Sequence, residues 1–230
     1  MTSNVTSTDW REARRQSARD SIVDAAWAVV AEAGLAGLSM RDLAKRAGTT
    51  TPTLYVYFES KNAIYDAMFG QAAQQFAEHM TADYQGHTAG NVIGEGVRRF
   101  VAFSLNDIPR YQLLFQRTVP GFEPSPHSYA HAVAALDDIR RRLAGVGISE
   151  PRHLDMLTAV VTGLVDQQVS NDRGGDRWVR LIDELVDMFL THCQRPTTKG
   201  GSQNGQRQKR QSSPARKRSA GEGMGAASQS

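Results

Sequence analysis

A chain of 230 residues, 40% apolar and 22% charged, can build one sizeable core or two small ones, and it contains no run of about eighteen apolar residues that would cross a bilayer. Its polar start, MTSNVTSTDWREARRQ, lacks the apolar segment of a secretory signal, and its single cysteine, Cys193, forms neither an internal disulfide nor a structural zinc site alone; both point to a cytoplasmic protein without a membrane partner. The net charge of +3 comes from one end: from Gln194 onward eight Lys or Arg stand against Glu222, so that stretch carries +7 and the rest −4, and the basic balance says little about what the folded part binds.

Taken in chain order, residues 1–14 read as a flexible N-terminal arm. Arg11, Arg14, Arg15 and Arg19 precede or open the first helix and are suited to lie along a phosphate backbone or minor groove. From Ser17, Ile22, Ala26, Val29, Val30 and Ala33 recur at the spacing of one helical stripe, and Gly34 stops it. Ser39 and Asp42 form a capping box ahead of a short helix carrying Met40, Leu43 and Ala44, which Gly48 closes. Thr50 is a good N-cap for a third helix with Pro52 in its first turn, where a missing N–H costs nothing. Ser60 opens a fourth, whose apolar face is Ile64, Met68, Ala72 and Phe76.

After a break at GHTAGNV, a helix is expected over about Val92 to Asn106. In NDIPRYQLLF, Pro109 pushes Ile108 out of the helical region, and a new helix begins near Pro109. VPGFEPSPHS is a loop. A helix follows from about Ser128 to Leu143, then EPRHLDMLTAVVTGLVDQQVS and, past Asn171 to Gly175, DRWVRLIDELVDMFLTHC. No stretch alternates with period two, which makes the fold all-α. The last two long helices are apolar on more than one face, as expected where a second copy packs on them; Val161, Leu164, Val165, Leu181, Leu185 and Phe189 are the candidate homodimer contacts. Residues 195–230, rich in Gly, Ser and Gln, read as a disordered basic tail. Such a tail attracts phosphate without sequence preference, or only keeps the protein soluble.

Two short helices joined by a tight turn with glycine make a helix-turn-helix. MRDLAKRAG, TLYVYFESK and the amphipathic helix before them resemble the TetR family of bacterial transcriptional regulators, over about the first sixty-five residues. The resemblance implies a three-helix DNA-binding domain, here 15–66, whose third helix enters the major groove, and a helical ligand-binding and dimerisation domain, here 67–194. Groove entry asks for short polar side chains at the start of a helix. Thr49, Thr50, Thr51 and Thr53 supply them, and Thr51, Thr53 and Val56 have the best placement to read bases. The family pattern implies phosphate contact for Tyr55 and Tyr57. Ser39, Arg41, Pro52 and Lys61 complete the set, Arg41 and Lys61 as phosphate contacts. Thr49, Pro52, Val56 and Asn62 depart from the residues commonest in the family.

For the C-terminal part the resemblance lies in the break at NDIPRYQLLF and the two final helices. Phe100, Phe103, Tyr111, Phe115, Phe122, Tyr129, Met156 and Trp178, with Gln167, are the candidate lining of a pocket for an unknown small-molecule effector. Asp166, Gln167 and Gln168 face that pocket, the dimer seam or water. His127 and His131 stand four apart, but no carboxylate at matching spacing completes a metal site, and no cofactor is implied. No nucleophile, base and orienting group appear together, so an enzyme is not expected. The resulting expectation is a ligand-responsive regulator, a repressor, that binds a palindromic double-stranded DNA operator as a homodimer and is released by a small molecule. The alternative is an architectural or non-specific DNA-binding protein that relies on the basic tail.

Overall fold

The computed structural model describes residues 7–81 and 88–194; the first six residues, 82–87 and the basic tail from 195 lie outside the described residues. The described chain is helical throughout. The helices are α1 (Ser7–Ala33), α2 (Met40–Arg46), α3 (Thr51–Tyr57), α4 (Lys61–Thr81), α5 (Ala89–Asn106), α6 (Ile108–Phe115), α7 (Pro126–Gly145), α8 (Pro151–Asn171) and α9 (Ile182–Cys193), with short 3-10 turns at Leu35–Gly37 and Val179–Leu181.

The first helix begins ten residues earlier than its apolar stripe suggests, so 7–14 of the expected arm is helix. Its opening turns hold no Gly or Pro, and residues 10–17 are exposed. A side-chain pair, Gln16 Nε2 to Asp20 Oδ1 at 2.8 Å, supports the turn that leads into the buried stripe. That stripe is Ile22, Val23, Ala26, Trp27, Val29 and Val30; Ala33 is exposed, because Gly34 turns the chain away with φ +73°.

The caps form as the residue types require. Ser39 Oγ accepts the Asp42 amide at 3.1 Å, and Thr50 Oγ1 accepts that of Thr53 at 3.4 Å. Between them, α2 ends in a left-handed glycine: Gly48 at φ +64° lets its amide reach Lys45 O at 3.3 Å and the Thr49 amide reach Ala44 O at 2.9 Å, the paired bonds of a Schellman turn. Leu38, Leu43, Leu54, Phe58, Ile64, Tyr65 and Met68 are fully buried where α1 to α4 meet.

α4 belongs to two cores. Its first half buries Ile64, Tyr65 and Met68 with α1 to α3, and its second half buries Phe76 and Met80 with Ala135 of α7 and the half-buried Phe100 and Phe103 of α5. The division expected near residue 66 therefore falls inside a continuous helix. Asp66 fixes the start of α7 to it, accepting the Ser125 amide (2.6 Å) and the hydroxyls of Ser125 and Ser128 (2.9 Å each). Leu113 of α6 and Phe122 of the following loop join the first core, with the Phe122 ring 5.7 Å from that of Tyr65.

Three boundaries differ from the sequence reading for identifiable reasons. Thr88 caps α5 through the Asn91 amide at 3.2 Å, starting it at Ala89 despite Gly90. At α6 the break falls on Asp107, which caps through the Arg110 amide at 3.0 Å; Ile108 and Pro109 become the first helical residues, so Ile108 is not expelled. Before α9, buried Gln168 takes the Trp178 and Val179 amides on its Oε1, at 2.9 and 3.3 Å, and holds that segment in a 3-10 turn. α5, α8 and α9 enclose a third core around Val97, Val101, Val165, Val186 and Phe189.

The buried Tyr65 hydroxyl donates to Leu35 O at 2.5 Å. Tyr65→Phe removes the donor and leaves that carbonyl only the longer bond from the Leu38 amide at 3.4 Å, so urea denaturation is expected to show a loss of about 1 kcal/mol with the native helical circular dichroism retained.

Candidate functional site

α3 is only seven residues long, too short to be stable by itself, so its orientation is set by what touches it. Leu54 is fully buried beneath it and Phe58 closes its end. At its C-terminal end, where carbonyls lack helical partners, two arginines from α1 approach. Arg19 Nη1 donates to Tyr57 O while its guanidinium lies 4.2 Å over the Phe58 ring, and Arg15 Nη2 reaches Val56 O at 3.5 Å. Arg15 and Arg19 thus clamp the third helix rather than extending as an arm. Arg14 lies over the Trp10 ring at 5.1 Å. The i, i+4 spacing of Arg15 and Arg19 was the signal available for this role. Arg46 ties α2 to α1 through Glu32 at 2.5 Å.

The expected DNA-facing residues fall into three groups, with Thr53 in two of them. Ser39 and Thr50 spend their hydroxyls as caps, and the Thr53 hydroxyl bonds Thr50 Oγ1 at 2.8 Å. Thr49, Thr51, Tyr57 and Lys61 are half-buried, Tyr57 against the first core and Lys61 with its ammonium 5.4 Å from the Tyr65 ring centroid. Arg41, Pro52, Thr53, Tyr55 and Val56 point outward. An aromatic 51% exposed and a valine 66% exposed, side by side on a seven-residue helix, are an expensive arrangement unless that face meets something.

The second feature is a cavity of about 340 Å³ enclosed by α4 to α8. Phe69, Phe76, Phe100, Phe115 and Tyr129 supply its rings, and Leu136, Ile139, Leu157 and Val161 its aliphatic wall. Phe100, Phe115 and Tyr129 are the expected residues that line it. The others do not: Phe103 stands behind Phe76 at 5.2 Å, Phe122 packs against Tyr65 and Phe69, Met156 is exposed, and Gln167 and Trp178 lie on the opposite side of α8. Tyr111 turns away to Asp166, donating to Oδ1 at 2.7 Å beside Gln116 Nε2 at 2.6 Å. Burial, and then the Asp166 carboxylate, push its phenol pKa upward, so it remains a donor. Sequence periodicity had no means of separating these positions, since each helix here has apolar residues on several sides.

Of the expected dimer contacts, Leu164 of α8 and Leu185 of α9 are buried in the chain's own core yet, with the half-buried Leu181 of the 3-10 turn, border an outer strip on which Val160 and Met188 are exposed, the latter at 59%. Val161 faces the cavity, and Val165 and Phe189 are buried within the chain's own core. Gln168 is consumed in holding the turn before α9, its amide nitrogen donating to Asp172 O and to Gly175 O at 3.1 Å. Among the described residues no cluster of three or more His, Cys, Asp or Glu could hold a metal, and no helix is long and apolar enough to cross a membrane.

The architecture is thus a capped helix-turn-helix with an outward third helix, joined through α4 to a helical body with an apolar cavity. Residues 22–68 match the family described as bacterial regulatory proteins, tetR family. Over that segment the chain is similar to the DNA-binding domain of the TetR family of transcriptional regulators, and it spans about a third of the length of the curated relatives it matches. It is 39% identical over 72 residues to the class D tetracycline repressor protein of Escherichia coli, a match that spans 31% of each chain. Among solved structures, a Rhodococcus protein of unknown function aligns with a TM-score of 0.63 at 18% identity, covering 76% of this chain and 94% of that one. The transcriptional regulator FadR of Bacillus subtilis, in complex with stearoyl-CoA, aligns at 0.58 and 23% identity, covering 75% and 97%. These likenesses establish that the all-α architecture extends over the body as well.

The clamp on α3 has its own test. Arg19→Lys keeps the charge but loses the planar stack and the fork geometry. DNA affinity is expected to fall about tenfold, the size of one lost charge-assisted hydrogen bond, while the slope of log affinity against log salt is unchanged. A direct phosphate contact would instead lower that slope by about 1.

Proposed function

We propose that the chain is a ligand-responsive transcriptional repressor that binds a palindromic operator as a homodimer and leaves it when a small molecule occupies the cavity. The observation that carries this reading is the path from cavity to head. Leu114 and Phe115 line the cavity on α6, and Arg110 of the same helix lies 4.4 Å over the ring of Trp27 on α1. Trp27 Nε1 in turn donates to Gln71 Oε1 of α4 at 2.6 Å, and Gln71 Nε2 donates to Asp24 Oδ1 at 3.2 Å. A molecule that moves Phe115 therefore has rigid partners through which to tilt α1 and the α3 it clamps. The ligand shifts the equilibrium only through different affinities for the two head orientations.

Pro52, Thr53, Tyr55 and Val56 are the side chains proposed to enter the major groove, with Arg41 on a flanking phosphate. The outer strip of α8 and α9 supports pairing of two copies, which places two third helices about 34 Å apart, one turn of DNA. The neighbours are consistent with a ligand-bound body: besides FadR with stearoyl-CoA, a solved multidrug binding protein, EbrR, is complexed with malachite green.

Fluorescence anisotropy on the DNA upstream of the chain's own gene is expected to show affinity at least about a hundredfold above that for a scrambled duplex. Equal affinities sink the specific reading. Removing residues 195–230 separates the alternative: specific binding retained in the shortened chain supports the head, and loss of nearly all binding supports a tail-driven architectural protein. For the dimer, Met188→Glu places a charge on the outer strip without touching the core. Light scattering is expected to report a shift from dimer to monomer, with helicity unchanged.

A further inference from the structure

We infer that the effector is a neutral, ring-bearing hydrophobic molecule with at most one uncharged polar group, and that the cavity discriminates against both carboxylates and amines. This rests on the reading of the cavity as the effector site and adds the chemical class to it. The inference follows from the charge inventory of the wall. Among the described residues lining the cavity, Arg142 is the one charged side chain, and it is engaged. Its Nε donates to Asp138 Oδ2 at 2.6 Å and its Nη2 to Thr81 O at 3.2 Å, a brace that ties α7 to the end of α4. An incoming carboxylate meets a guanidinium already paired to Asp138, a carboxylate shared with Arg141 at 3.0 Å, so the attraction left to offset its lost hydration is reduced.

An ammonium fares no better. Among the described residues the wall carries no Asp or Glu to balance it. The rings of Phe76, Phe100 and Phe115 are already turned edge to face on one another, with centroids 6.0, 5.3 and 5.1 Å apart pair by pair, so part of the ring-face area a cation would seek is taken by neighbouring edges. That same arrangement suits a further ring, which extends the edge-to-face cluster as one more member. The polar atoms that remain are hydroxyls: Tyr129 and Thr158 line the cavity and are both exposed, which places them where it opens to solvent. Either hydroxyl donates to or accepts from a neutral hydroxyl or carbonyl at the mouth while the ring system sits inside.

Three probes of one shape separate the classes: 2-naphthol, 2-naphthoate and 2-naphthylmethylammonium, titrated calorimetrically at pH 7 into the full chain. The expected result is that 2-naphthol binds at least about tenfold more tightly than either ion, and that Leu136→Trp, which fills the cavity, abolishes its binding. Should Leu136→Trp lose its helicity, Ala132→Leu serves as the filling variant. Binding of 2-naphthoate as tight as that of 2-naphthol, and lost in Arg142→Gln, overturns the inference by making Arg142 an anion receptor. Failure of 2-naphthol to bind the folded chain overturns it as well. The same probes added to the protein–DNA complex keep this claim apart from the regulatory one. Release of DNA by 2-naphthoate leaves the regulator standing and removes the ligand class, whereas binding of 2-naphthol without release leaves the class and removes the coupling.

Discussion

The architecture depends on α4 satisfying two sets of neighbours at once. Along 21 residues it presents Ile64, Tyr65 and Met68 to the small helices of the head and Phe76 and Met80 to the body, while the small side chains Ala72 and Ala73, both fully buried, let other helices come close. Gly70 is needed for the same reason: a Cβ there would stand 3.2 Å from Ser128 Oγ, inside the network by which Asp66 secures the start of α7. A helix used in this way leaves little slack. Any change in how the body packs on its second half is transmitted to the first half as a rigid displacement, since an unbroken α-helix bends far less readily than a loop rearranges.

The head shows how such short helices are held. Neither α2 nor α3 reaches the length at which a helix is stable alone. Each is defined by its ends: a serine or threonine cap in front, a left-handed glycine after α2, and arginine side chains on the carbonyls after α3. Burial of Leu43, Leu54 and Phe58 beneath them does the rest, at roughly 1.5–3 kcal/mol for each fully buried large side chain. The two sources of stability are complementary. Caps fix where the helices start and stop, and the core fixes which way they face.

This division also explains what could be read from the chain before its structure was known. Ser39, Thr50 and Ser60 announced three helix starts because capping is a local interaction, legible within four residues. Leu43, Leu54, Ile64 and Met68 announced a core through their spacing. Interactions that cross between distant segments left weaker traces. Arg15 and Arg19 looked like an arm for DNA because a basic pair near a terminus has the same sequence appearance whether it meets a phosphate or a carbonyl. In the body, α8 carries apolar residues almost all round; Val161, Leu164 and Val165 lie within five residues of one another yet face a cavity, an outer strip and an interior core. Which direction each takes is decided by other helices, some near in sequence, such as α9, and some more than 50 residues away, such as α6, whose Tyr111 reaches Asp166.

The outward face of α3 has a further consequence for how such a protein changes over time. Pro52, Tyr55 and Val56 contribute neither to the caps nor to the buried core, whereas Thr50, Leu54 and Phe58, interleaved among them, do both structural jobs. Outward-facing and structural positions thus interleave within residues 50–58. Substitutions at the first set are nearly free of a stability penalty, so the exposed surface of α3 can change in single steps without passing through an unfolded ancestor.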